Sequence, residues 1–277
     1  ALTQKQSTGM ILLDVEKAFD RVWHEGLIYK LITLNFPPYI IKIVQEFLSN
    51  RTFQVHINGR KSAIHEIMAG VPQGAGLSPT LYNTYTYDIP KNEQTTTALF
   101  ADDTAIYASS TQLKNIIKPL KEHAQQIQDY MTKWKIKING DKTQAIYITN
   151  RRTREIPKKK LKIFNKNIKW SSEVKYLGVI IDKKVTMKQH IDYVIQRANT
   201  AISTLYSLIN RKSKLHLNNK LLLYKVAIRP IFTYACPAFP GIAKTHIKRL
   251  QVQQNKTLKM ILNASRYERT QTIPDNP

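Results

Sequence analysis

The spacing of apolar and polar positions changes along this chain, and the change divides it. "TGMILLD", residues 8–14, is an apolar run that stops at Asp14 and predicts a buried strand. "HEGLIYKLITLN" follows with apolar residues near helical spacing; Pro37 and Pro38 break it and open a second helix, "YIIKIVQEFLS". "RTFQVHINGRKSAIHEI" alternates about Asn58-Gly59, the strongest short-range hairpin signal. A loop with three Gly and two Pro, "AGVPQGAGLSP", then feeds a predicted helix, "TLYNTYTYDI".

"TTTALFADDTAIYAS" reads as a hairpin with Asp102 and Asp103 at its turn. Leu113, Ile116, Leu120, Ile127 and Trp134 mark a long helix, although Pro119 inside it breaks the rule. "KTQAIYIT" and "KYLGVIID" are further predicted strands, separated by a loop crowded with Arg151, Arg152, Arg154, Lys158, Lys159 and Lys160. Beyond about Met187 the pattern is helical throughout: "QHIDYVIQRANTAISTLYSLI", "NNKLLLYKVAIRPIF" and "THIKRLQVQQNKTLKMIL". The expectation is an α+β part over residues 1–185 and a helical part over 186–277.

Composition narrows the function. Of 277 residues 42% are hydrophobic, enough for a real core, and there is no uninterrupted apolar run of about 18 residues to cross a membrane. The polar opening "ALTQKQSTG" is not a secretory signal, and a start without Met points to an excised fragment. One cysteine, Cys236, excludes an internal disulfide framework and a Cys-based zinc cluster, and the seven His show no HExxH spacing. A reducing compartment is expected. The 43 Lys and Arg against 19 Asp and Glu, formal net charge +24, predict a polyanionic partner, nucleic acid ahead of anionic membrane.

Against that charge, two adjacent carboxylates between apolar runs need a reason, because neighbouring negative groups resist joint ionisation unless a cation lies between them. Asp14 ends a strand as well. If its strand lies beside the acidic hairpin, three hard oxygen donors converge, a set suited to Mg²⁺ and not to zinc or copper. Two such ions about 3.5–4 Å apart serve in-line displacement at phosphorus. The bland alternative is that Asp-Asp suits turn geometry. Spacing alone leaves both open.

"ILLDVEKAFDRVWHEGL", "AGVPQGAGLSPTLYNTYTYDIP", "LFADDTAIYAS", "WKIKINGDKTQ" and "VKYLGVIID" stand in the order of the palm motifs of reverse transcriptases. The series resembles non-LTR retrotransposon enzymes of the jockey-like type, which also show an "IRPIFTYA"-like helix in the thumb. The resemblance implies a right-hand polymerase palm, an antiparallel sheet with packed helices, followed by an α-helical thumb. With thirteen residues ahead of Asp14, the fingers are expected to be largely missing. It also implies an RNA-directed DNA polymerase that extends a DNA primer 3′-hydroxyl with dNTP on an RNA template, the primer being nicked chromosomal DNA. Two Mg²⁺ ions, or Mn²⁺, are the implied cofactors, and the nucleus, with a cytoplasmic ribonucleoprotein stage, the implied location.

Carried over by residue, the resemblance makes Asp14, Asp102 and Asp103 metal ligands, with a carbonyl from Val15. Phe19 falls where the family sets an aromatic beneath the incoming sugar, Gln73 and Gly74 at the nucleotide and template base, and Asn139 and Lys142 in an N-x-x-K where the lysine donates a proton to pyrophosphate. "YLGVIID", residues 176–182, resembles the primer-grip hairpin, which makes Tyr176, Leu177 and Gly178 the residues that hold the primer end. The basic loop, with Lys169, Lys175, Arg197, Arg211, Lys212 and Lys214, would track phosphates. Two positions depart from the pattern: Ala75 replaces a usual Ser, and Ser78 a usual Gly. A catalytically inactive nucleic-acid-binding remnant and a two-metal nuclease are the rivals; nothing in the pattern speaks to oligomeric state.

Overall fold

The computed structural model describes residues 6–149, 157, 161–238 and 242–265. The chain is α+β and divides into two compact units, residues 1–174 and 175–277.

In chain order the first unit contains β1 (Ser7–Asp14), α1 (His24–Thr33), α2 (Pro38–Leu48), β2 (Thr52–Phe53), β3 (His56–Ile57), β4 (Arg60–Lys61), β5 (His65–Glu66) and α3 (Ser78–Thr86). It continues with β6 (Thr96–Phe100), β7 (Asp103–Ser110), α4 (Lys114–Lys133), β8 (Gln144–Ile148), β9 (Leu161–Ile163) and β10 (Lys166–Ser171). Six strands form one sheet in the order β6-β7-β1-β8-β10-β9. All neighbours run antiparallel except β8 and β10.

The run "TGMILLD" is not buried on both faces. In β1, Ser7, Gly9, Ile11 and Leu13 are buried and the residues between them half-exposed, a period of two. The buried face receives α4, and a Cβ at Gly9 would stand 2.5 Å from Ile116, so glycine there lets the helix approach. Pro119 does not end α4: the helix runs through it with Pro119 on its buried face beside Ile116, Leu120, Ala124 and Ile127. Burying that stripe outweighs the roughly 3 kcal/mol a mid-helix proline costs.

Lys30 ties α1 to α3 and α4. It is 3% exposed. Its Nζ donates to Asp88 Oδ1 at 2.5 Å, to Tyr130 Oη at 2.7 Å and to the Tyr85 carbonyl, and lies 3.8 Å from the centre of the Trp134 ring. Burial lowers its pKa and Asp88 opposes the fall.

Asn58 and Gly59, at φ 49° and 76°, make the expected tight turn between β3 and β4. The hairpin β9–β10 follows the basic loop, in a stretch to which the pattern assigned no element. Its turn is Phe164-Asn165, both at positive φ, with no glycine to announce it. Among the described residues no helix is long and apolar enough to cross a membrane.

The second unit opens on β11 (Glu173–Tyr176), whose first residues belong to the first unit, and β12 (Val179–Asp182). "KYLGVIID" is therefore a hairpin and not one strand: Leu177 and Gly178, at φ 46° and 77°, reverse the chain between them. Helices α5 (Lys188–Thr204), α6 (Tyr206–Ile209), α7 (Leu217–Leu223), α8 (Arg229–Thr233) and α9 (Lys244–Ile261) follow. They close on Val194, Ala198, Ile209, Tyr224, Ile228, Phe232 and Ile261. "NNKLLLYKVAIRPIF" is not one regular helix, because a π-helical turn, Tyr224–Ile228, joins α7 to α8 ahead of Pro230. The pattern changes near 185, but the contacts divide the chain earlier, since β12 packs on α5.

Replacing Lys30 with Met leaves the Asp88 carboxylate facing Tyr130 without its cation. Asp88 is partly open to water, so the expected loss is about 2–3 kcal/mol, below the usual cost of breaking a buried pair, measured as a lower urea midpoint.

Candidate active site

The site is built on the exit from β1. The ladder with β7 pairs Ile11 with Ile106, Leu13 with Thr104 and finally Asp14 with Asp103. Directly opposed residues share a face, so two carboxylates are set side by side at the end of the sheet. Asp102 precedes Asp103 in the β6–β7 turn, which Ala101 opens at φ 50°, a left-handed conformation that favours glycine. Burial raises the Asp103 pKa first, and the charges of Asp102 and then Asp14 add to it. Asp102 and Asp14 thus both act on Asp103, the arrangement that the sequence reading made conditional on the two strands lying side by side.

On its other side the strand end is clasped by the segment after α4. Asn139 N–H donates to Asp14 O and Glu16 N–H to Lys137 O, both at 2.8 Å, with Val15 bridged to Ile138 between them. The buried Thr143 hydroxyl accepts from Asp14 N–H at 3.5 Å and donates to Asn139 O at 2.9 Å. Asn139 Oδ1 accepts the backbone N–H of Asp141 and Lys142. The N-x-x-K stretch is thus a turn fastened to the Asp14 backbone, with Lys142 exposed on it. Thr143 went unnoticed in the sequence, where a lone Thr after Lys142 carries no signal.

The glycine-rich loop is fastened to the same strand exit. Gly70 N–H donates to Val22 O and Val71 N–H to Phe19 O, both at 2.8 Å. His24 Nε2 and Arg51 Nη1 meet the Gly70 carbonyl at 2.8 and 2.9 Å. Gly70 lies at φ 89°, and a Cβ there would come within 2.6 Å of the Asp20 backbone, so no other residue fits. Gly74, at φ 86°, has open space around it, and its glycine serves conformation alone. Gln73 is exposed and donates from Nε2 to Asp20 Oδ1 at 2.9 Å. Ser78 is buried and donates to Pro72 O at 2.5 Å, so the hydroxyl that departs from the family pattern pins the loop. Phe19 is half-buried and stacks on Tyr82, a partner the sequence did not single out.

Tyr176, Leu177 and Gly178 belong to the helical unit. There Leu177 O accepts from Tyr234 Oη at 2.7 Å, and a Cβ at Gly178 would meet that ring at 3.1 Å. Tyr234, in "IRPIFTYA", holds the turn. Lys175 Nζ donates to Tyr193 Oη, and Arg211 to Ala264 O; Lys212 and Lys214 are exposed. Arg151, Arg152, Arg154, Lys158, Lys159 and Lys160 lie outside the described residues.

Among the described residues no three of His, Cys, Asp and Glu are gathered tightly enough to hold a metal ion. The aspartates form an electrostatic group, not a closed coordination shell. As donors they still fit a hard divalent cation: they are all carboxylate oxygens, and their mutual repulsion is what such a cation relieves.

Residues 1–181 match the family model described as reverse transcriptase (RNA-dependent DNA polymerase). The chain belongs to the reverse transcriptase family. Two curated relatives, each named RNA-directed DNA polymerase from mobile element jockey, come from Drosophila melanogaster and Drosophila funebris. Each is 35% identical over 281 residues, 99% of this chain and 30% of the relative. This reverse transcriptase chain therefore spans about a third of their length, and the likeness to jockey-like elements read from its motifs holds along the whole of it. A solved apo telomerase from Candida tropicalis, 16% identical, aligns over 66% of this chain and 35% of its own with a TM-score of 0.45, too weak a likeness to bear on the fold.

The electrostatic group makes a prediction about stability in the absence of divalent ions. Because the folded state raises the Asp103 pKa, its stabilising share is present at acid pH, below the unfolded pKa, and is lost as pH rises through the folded value. Asp103→Asn should raise the melting temperature of this reverse transcriptase chain in EDTA at pH 7, by the equivalent of about 0.2–1 kcal/mol for a like-charged cross-strand pair. The gain should fade as the pH falls below about 4, where the carboxylate protonates in the unfolded chain as well. Melting curves at the two pH values check it.

Proposed function

We propose that the chain is the palm and thumb of an RNA-directed DNA polymerase, with the sheet-bearing unit as palm and the helical unit as thumb. One observation carries the reading: in a chain of this family, Asp14 and Asp103 are cross-strand partners and Asp102 adjoins them at the turn. The reaction joins a primer 3′-oxygen to the α-phosphorus of a dNTP and breaks the bond to pyrophosphate.

Asp14, Asp102 and Asp103, with the Val15 carbonyl, would hold two Mg²⁺ or Mn²⁺ ions, which when bound polarise the attacking and leaving oxygens. The residues of the chain do the rest. Phe19 lies beneath the incoming sugar and excludes a 2′-hydroxyl. Gln73 and Gly74 meet the nucleotide and the template base, the positive φ at Gly74 letting the backbone come close. Lys142, on the turn that clasps Asp14, gives a proton to departing pyrophosphate. Tyr176, Leu177 and Gly178 hold the primer end, their turn tied by the hydrogen bond from Tyr234 to the Leu177 carbonyl. The net charge of +24 supports binding of RNA template and DNA primer through phosphates. The proposal extends to a nuclear site of action with a cytoplasmic ribonucleoprotein stage, where the primer is chromosomal DNA.

Primer extension on an RNA template, with the longest polypeptide that carries this chain, tests the reading. Asp102→Asn should lower the rate by at least about 10²-fold, as loss of one preorganised electrostatic group does. Retention within about tenfold overturns it. So does salt-sensitive nucleic-acid binding by the unaltered protein with no nucleotide incorporated in Mg²⁺ or Mn²⁺, the behaviour of a binding remnant.

A further inference from the structure

We infer that Tyr82 is a positioning residue for sugar selection, the support that keeps the Phe19 ring in place beneath the nucleotide. The inference rests on the proposed role of Phe19 and goes beyond it to a residue outside the family motifs' assigned roles.

A phenyl ring has no hydrogen bond to fix it. Phe19 sits on a single 3-10 turn, Phe19–Arg21, on a half-buried stretch that leads away from the sheet. Left to itself such a ring moves among its rotamers. Exclusion of one hydroxyl needs the opposite, since a site works only when its groups are held within about 0.5 Å of the required place.

Two contacts supply that restraint, and both come from the segment of the glycine-rich loop and α3. The backbone is fixed by Val71 N–H, which donates to Phe19 O at 2.8 Å. The ring is fixed by Tyr82, with centroids 4.9 Å apart and planes 25° apart, an offset stack. Tyr82 is 3% exposed in the core of the first unit, so its own ring cannot swing away. Leu81 and Tyr85, its neighbours on α3, are buried with it. A half-exposed ring that lies flat on an immovable one presents one face to whatever occupies the site.

The test compares kcat/KM for a dNTP with that for the matching rNTP, in the longest polypeptide that carries the chain. Phe19→Val should abolish most of the preference for the deoxynucleotide. Tyr82→Leu, which removes the flat face, should lower the preference by about three- to tenfold, the factor an aromatic pair represents. Tyr82→Phe, which keeps the ring, should leave it within about twofold; Tyr82→Met, of about the same volume as Leu but unbranched and able to fill an irregular gap, should behave as Leu does and serves if Leu does not fold. A preference unchanged in Tyr82→Leu and Tyr82→Met but lost in Phe19→Val overturns the inference alone. A preference unchanged in Phe19→Val overturns the role of Phe19 itself.

A second measurement needs no activity. With 4-fluorophenylalanine at position 19, the ¹⁹F resonance should carry a ring-current displacement that persists in Tyr82→Phe and disappears in Tyr82→Leu. One resonance position shared by all three proteins overturns the stack as the restraint.

Discussion

The register of one ladder decides the chemistry of this protein. Burying Ile11 and Leu13 against α4 requires that β1 meet β7 as it does, and a slip of one residue would send both side chains to the opposite face. Once that register is set, Asp14 has no choice but to lie across from Asp103. The core therefore imposes the juxtaposition that electrostatics alone would refuse. Apolar burial along eight paired residues is worth far more than the repulsion of one pair at the ladder's end.

The two loops of the first unit that frame the site hang from the same strand end. The turn after α4 grips the Asp14 backbone from one side, and the glycine-rich loop grips the residues just beyond it from the other. Neither attachment uses a side chain of the acidic group, so the carboxylates stay available while their backbone is held. The same logic explains why Ser78 is tolerated in place of glycine. Its buried hydroxyl turns inward and donates to the Pro72 carbonyl, which also accepts the Ala75 N–H, so the substitution adds a restraint to the loop.

What the sequence made legible was local. The apolar run ending in Asp14, the Asn58-Gly59 turn, the acidic hairpin and the stripe of α4 all follow from periods and turn chemistry a few residues long. Long-range partners were not legible. Thr143 reaches Asp14 across 129 positions, and Lys30 reaches Tyr130 across 100. A lysine in a helical pattern reads as a solvated position until the aromatic rings around it are folded into place. The β9–β10 hairpin escaped because Phe164 and Asn165 adopt positive φ without glycine, and the apolar pattern of "KYLGVIID" read as one strand, where the motif resemblance to a primer-grip hairpin matched the reversal at Leu177 and Gly178. The motif resemblance supplied roles that spacing alone left open, and the family match over residues 1–181 then secured its family assignment.

The charge distribution gives the proposed chemistry an internal logic. A net charge of +24 draws a polyanion to the chain from any direction and with little selectivity. At the end of β1 the sign reverses: three aspartates repel the phosphates that the rest of the chain attracts, while burial, with the charges of Asp102 and Asp14, makes the ionised form of Asp103 costly without a cation. A nucleic acid or a nucleoside triphosphate gains nothing by approaching that point unaccompanied. With a divalent cation both parties are satisfied, because the ion relieves the carboxylates and the phosphate together. On the proposed reading, the acidic group turns unselective attraction into a preference for a phosphate that arrives with a divalent cation.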